Sequence, residues 1–171
     1  MKNKLNVKRA FKTLEKCSDR TYFYRLTVPS KDVLVSNGHV VLTVSEANFE
    51  ENKQYLKNLT ENTRLRDIII DFSKENTVVC KPTTVSILYY DKQTRVMKAD
   101  NGRVGVVNEL YLQMLEDVGC DMYFEVSTQG GDTIKTPIGQ CVVANGDVYH
   151  CNMVLPICCN VRDILENVLG N

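Results

Sequence analysis

Val33-Leu34-Val35-Ser36-Asn37-Gly38-His39-Val40-Val41-Leu42 is the stretch that decides the fold class. Two aliphatic, largely β-branched runs flank an Asn-Gly pair, which predicts a β-hairpin closed by a type I′ turn with positive φ at both central residues. The same device recurs at Asn101-Gly102, between Val96-Met97 and Val104-Gly105-Val106, and at Asn145-Gly146, between Cys141-Val142-Val143 and Val148-Tyr149. A helical pattern follows each hairpin, at residues 46–59, 109–118 and 161–169. In the second, Tyr111, Met114, Leu115 and Val118 fall at i, i+3, i+4 and i+7 behind Asn108 as N-cap. In the third, Val161, Ile164, Leu165 and Val168 follow Asn160, and Gly170 ends the run.

Outward from these hairpins, Val7, Phe11 and Leu14 predict an amphipathic helix over 4–16. The aromatic run from Tyr22 to Val28 predicts a strand. Further strand patterns lie at 67–72, 77–80, 85–90, 94–99, 122–127 and 148–155. Residues 39–90 and 103–155 each read as β-α-β-β-β, with an extra strand near 94–99 between them. The expected fold is therefore α+β, with hairpin-rich antiparallel sheets, a duplicated element order, and N- and C-terminal helices. No residue-level repeat accompanies the duplication. No Pro- or Ser-rich linker divides the chain, so residues 1–171 read as one domain: a core over 39–157, an N-terminal extension over 1–38 and a C-terminal helix over 160–170.

With 171 residues, 43% hydrophobic and 25% charged, the composition is that of a globular chain able to bury a core. No apolar run approaches the ~20 residues that cross a bilayer, and the basic N-terminus lacks the apolar segment of a signal peptide. The seven cysteines are odd in number and show no Cys-x-x-Cys. Together these features point to the cytoplasm, with reduced thiols and no membrane. Basic and acidic residues balance at 21 each, which argues against wholesale nucleic-acid binding but leaves one local basic run, Lys2, Lys4, Lys8, Arg9, Lys12 and Lys16.

Three segments carry a family resemblance. Val106-Val107-Asn108-Glu109-Leu110-Tyr111-Leu112-Gln113-Met114-Leu115-Glu116-Asp117-Val118-Gly119 resembles the strand-into-helix segment of the C-terminal domain of a bacterial DNA sliding clamp. Met122-Tyr123-Phe124-Glu125-Val126-Ser127 resembles its next strand. Tyr149-His150-Cys151-Asn152-Met153-Val154-Leu155-Pro156-Ile157 is similar to the last clamp strand, which ends in an aliphatic-Pro-aliphatic triplet. By element order the resemblance spans about two-thirds of the chain. It implies a clamp-like fold and, carried over by position, a peptide-binding groove at Met153, Leu155, Pro156 and Ile157. Replication and mobile-element accessory roles follow from it. Encircling DNA does not, because the helix at 109–118 has no Lys or Arg, and a single domain closes no ring. Clamps end at this strand with a basic residue, whereas here Cys158-Cys159 and a further amphipathic helix follow.

No phosphate-binding loop, dinucleotide fingerprint or nucleophile elbow occurs. Only His39 and His150 are available for acid–base chemistry. Counting back from Asn145-Gly146 puts Cys141 opposite His150, a pairing with two readings: a small Cys/His-dependent enzyme, or an ordinary cross-strand pair. The sequence favours a non-enzymatic protein-binding module without metal or cofactor, its partner a protein, a peptide or a second copy of the chain. The alternative is nucleic-acid binding through Lys4, Lys8, Arg9 and Lys12 on the N-terminal helix.

Overall fold

The computed structural model describes residues 5–27, 31–67, 76–127, 130–144 and 147–158. Helix α1 (Val7–Cys17) places Val7, Ala10, Phe11 and Leu14 on its buried face, and the Asn6 side chain caps it by accepting from the Arg9 N–H at 3.1 Å. Strands β1 (Thr21–Arg25), β2 (Asp32–Ser36) and β3 (Val40–Ser45) form an antiparallel meander. Ser45 then caps helix α2 (Glu46–Asn52), which tightens into a 3-10 turn at Lys53–Tyr55. The helix pattern of 46–59 thus stops early. Asn58 adopts positive φ (50°) and donates to the Asp19 carbonyl at 2.8 Å, which turns the chain into β4 (Leu59–Glu61).

Residues 64–67 are helical, so the strand pattern of 67–72 begins in a helix, and 68–75 lie outside the described residues. The patterns at 77–80 and 85–90 form one long strand, β5 (Thr77–Tyr89), bulged between Pro82 and Ser86. β6 (Lys92–Ala99) and β7 (Val104–Asn108) complete a second meander. Helix α3 (Glu109–Asp117) follows, capped by Asn108. Its C-terminus closes at Gly119 (φ +90°): Gly119 donates to Glu116 O and Cys120 to Leu115 O, the paired bonds of a Schellman stop. β8 (Tyr123–Val126), β9 (Ile138–Ala144) and β10 (Asp147–Val154) end the described core. The third hairpin turn at 145–146 and the helix pattern of 161–169 lie outside the described residues.

The Asn-Gly hairpins form, but not by type I′ turns. In the two described turns only the glycine has positive φ, +91° at Gly38 and +89° at Gly102. Each asparagine instead turns its side chain to a tertiary partner. Asn37 donates to the Tyr111 hydroxyl at 3.0 Å and Asn101 to Glu125 at 2.7 Å. Hydrogen bonds to α3 and β8 outweigh the local turn preference.

Among the described residues, ten strands join one mixed sheet in the order β4-β1-β2-β3-β10-β9-β8-β5-β6-β7. β4 runs parallel to β1, because α2 acts as a crossover between β3 and β4; every other pair is antiparallel. What repeats in space is a β-β-β-α-β unit rather than β-α-β-β-β: orders β4-β1-β2-β3 and β8-β5-β6-β7 match, with β9 and β10 between them. The match is incomplete, since β8 runs antiparallel to β5. α1 packs against both α2 and α3. These helices cover the main core, which includes Phe11, Leu14, Leu42, Phe49, Met97, Met114 and Leu115. Leu26, Leu34, Val41, Leu65, Val126, Cys151 and Met153 form a second, smaller cluster.

Candidate binding surface

A concavity lies where the segment leading into α1, the end of α3, β5 and β8 meet. The Schellman stop at Gly119 sends the chain away from α3 and into β8, whose first residue Tyr123 pairs with Cys80 of β5. Upstream, the Asn6 N–H donates to Asp117 O at 2.7 Å, and the Arg9 guanidinium clasps the buried Asp117 carboxylate through Nε at 2.9 Å and a second N–H. This clasp sets the start of α1 beside the end of α3. Between them opens a groove of about 790 Å³, lined by Leu5, Val79, Lys81, Pro82, Asp121 and Met122, with Cys80, Cys120 and Tyr123 behind.

Two features suit the groove to binding. β8 pairs with β5 only through Thr77–Cys80, while β5 remains paired with β6 as far as Tyr89. Among the described residues, β5 from Lys81 onward is therefore paired on one side only. Pro82, which lacks an N–H, stands near the start of this stretch, a position typical of edge strands. Secondly, Leu5 and Met122 are 53% and 48% exposed, and the Tyr123 hydroxyl is buried with no hydrogen-bond partner among the described residues.

The electrostatics do not favour nucleophilic chemistry there. Burial pushes the Cys80 and Cys120 thiols up to about 12, so both stay protonated at neutral pH. Burial also raises the Tyr123 phenol. Burial, with Asp117 next, raises the Glu116 carboxyl on the groove wall.

The residues that the clamp resemblance places in a peptide groove differ in their exposure. Met153 is buried in the second cluster, whereas Leu155 is 40% exposed and donates its N–H to His39 O. Ile157 packs on Val96, Val104 and Val106 and donates to Val106 O at 2.7 Å. Pro156 is half-buried between them. This segment covers part of the free edge of β7, and residues 132–134 cover its start, where Val104 bonds with Asp132 and Ile134.

Of the basic set, Lys4 lies outside the described residues, and Arg9 is engaged by Asp117. Lys8 and Lys12 lie over the Tyr55 ring, with Nζ 5.4 and 5.0 Å from its centroid. Hydrogen bonds from Gln54 and Lys8 lower the Tyr55 pKa. The Cys141–His150 pairing is corrected by the structure. A bulge between Val148 and His150 shifts the register, so that His150 faces Val142 and Cys141 faces Cys151. The extra residue, Tyr149, could not be located by counting from the turn. Among the described residues, no group of three or more His, Cys, Asp or Glu is arranged to hold a metal ion, and no helix is long and apolar enough to cross a membrane.

Pro82, lying between the strand patterns of 77–80 and 85–90, is the one signal the sequence holds for the groove. Its walls come from segments far apart in the chain. The chain matches no protein-family model, and neither a curated protein nor a solved structure shows significant similarity to it.

Proposed function

We propose that this chain is a non-enzymatic binding module that takes an extended peptide segment of a protein partner along β5. The observation that carries this reading is the loss of the β8 partner at Lys81, beside a groove with exposed apolar side chains. A strand added there gains main-chain hydrogen bonds from the open edge and anchors side chains on Leu5 and Met122. The sliding-clamp resemblance supports the same class of activity, a replication or mobile-element accessory factor, and puts the contact at Met153, Leu155, Pro156 and Ile157 instead. The two placements are separable. Peptides selected from a displayed random library are titrated into labelled protein, and amide shifts are mapped. Shifts at 81–89 and 119–123, with at least tenfold weaker binding in Met122→Glu, support the β5 groove. Shifts confined to 153–157 support the clamp-type site, and no selectable peptide removes both.

A second reading, nucleic-acid binding through α1, is favoured by the ammonium groups of Lys8 and Lys12 around Tyr55, an arrangement that pairs backbone charge with a stacking ring. Single-stranded oligonucleotide affinity that falls with salt, and a salt slope shallower by about 1–2 in Lys8→Glu/Lys12→Glu, would bear it out. Salt-independent binding, or none, ends it.

A further inference from the structure

Cys141 and Cys151 face each other across β9 and β10. The Cys151 N–H donates to Thr43 Oγ1 at 2.9 Å, and the Thr43 hydroxyl donates back to the Cys151 carbonyl. Both main-chain groups of Cys151 thus serve β3, which leaves Cys141–Cys151 as a non-hydrogen-bonded antiparallel pair. In such pairs the Cα atoms approach to about 4.5 Å with the side chains on one face, inside the roughly 4.4–6.8 Å span of disulfides. Cys151 is fully buried, and Cys141 packs beside it partly buried.

We propose that Cys141 and Cys151 form a redox-active pair that closes to a cross-strand disulfide by exchange with a low-molecular-weight disulfide. The Cys141 thiolate attacks one sulfur of the small disulfide, breaks its S–S bond and releases one thiolate, which takes up a proton. Cys151 then gives up its proton and attacks Cys141 Sγ, which expels the second small thiol. Two protein thiols are oxidised, and one small disulfide is reduced to two thiols. The roles follow from the environment. The Cys151 thiol hydrogen-bonds to Cys141 and lowers its pKa, whereas burial holds Cys151 high. Burial raises Cys17, Cys80 and Cys120, which leaves them poor attackers.

The bond falls at a structural seam. β10 borders the β4-β1-β2-β3 group and β9 the β8-β5-β6-β7 group, so the disulfide ties the two halves of the sheet together.

The test equilibrates the full-length protein in glutathione buffers from reducing to oxidising, followed by acid quench, alkylation after unfolding and peptide mapping. The expected result is one cross-linked product joining Cys141 to Cys151, with Cys17, Cys80 and Cys120 still alkylated. The oxidised form is expected to melt higher by about 5 °C or more, and Cys141→Ser abolishes the cross-link. Glutathione retained on Cys141, full alkylation of both residues under oxidising buffer, or a cross-link joining other cysteines overturns the proposal. Because the mapping is done on the unaltered protein, it does not depend on how well a Cys151 variant folds.

Discussion

Gly139 shows how little space single residues leave in this sheet. A Cβ there would lie 2.0 Å from Asn152 O and 2.6 Å from Met153 Cα, both backbone atoms of the partner strand. Because backbone cannot step aside as a flexible side chain can, Gly139→Ala should cost at least about 3 kcal/mol, measured by urea unfolding. Glu125 is a second such position. It is fully buried on β8, accepts from Asn101 and lies 3.3 Å from Arg103, itself nearly buried. Arg103 also donates to the Val126 and Thr133 carbonyls at 3.0 Å. Glu125→Ala removes the carboxylate while the guanidinium stays buried, so a loss of about 3–5 kcal/mol is expected in the same assay.

At the scale of the element, α3 begins well and ends badly. Glu109 sits in its first turn, where the helix dipole favours a carboxylate, but Glu116 and Asp117 sit in its last. Arg9 of α1 compensates for the buried Asp117. Arg95 holds the Glu109 carboxyl below its ordinary value, with Ser86 adding a hydrogen bond. Since the folded pKa is depressed, this contribution is complete above the unfolded value of about 4.3 and disappears as pH falls through the folded value. Glu116 has the opposite sign. Its raised folded pKa means that stability falls as pH rises from the unfolded value through the folded one, and ionised Glu116 costs stability at neutral pH. Glu116→Gln should therefore be as stable as the parent or slightly more so at pH 7, by less than about 1 kcal/mol because the side chain is largely exposed. Glu109→Gln should be less stable at pH 7 and converge with the parent as pH falls through the folded value. Urea unfolding across this range checks both.

For the whole molecule, the question is how a ten-stranded sheet protects its edges. β7 is covered where Val104 bonds with residues 132–134 and where Ile157 bonds Val106. Ile157→Asp would lose the packing against Val96, Val104 and Val106 and put a charge beside the strand edge. A loss of about 1–2 kcal/mol is expected, with concentration-dependent self-association visible by size-exclusion chromatography. The open edge of β5 is the contrasting case. It has no such cover among the described residues, and its hairpin tip exposes Leu88 at 70% and Tyr90 at 83%.

What the sequence determined by itself was local: the hairpins, the helix faces of α1 and α3, the cap at Asn108, and the α+β class. Periodicity and capping act within a few residues, so they survive any tertiary arrangement. The tertiary structure alone decided the rest. Pairing between distant strands placed β10 beside β3, merged two strand patterns into β5 across Pro82, and set β4 parallel to β1. A single bulged residue moved Cys141 from His150 to Cys151, because the side chains of a strand change face with every one-residue slip. The groove belongs to the same category. Leu5, Pro82 and Met122 meet only because Arg9 and Asn6 hold α1 to the end of α3, a long-range contact that no local pattern encodes.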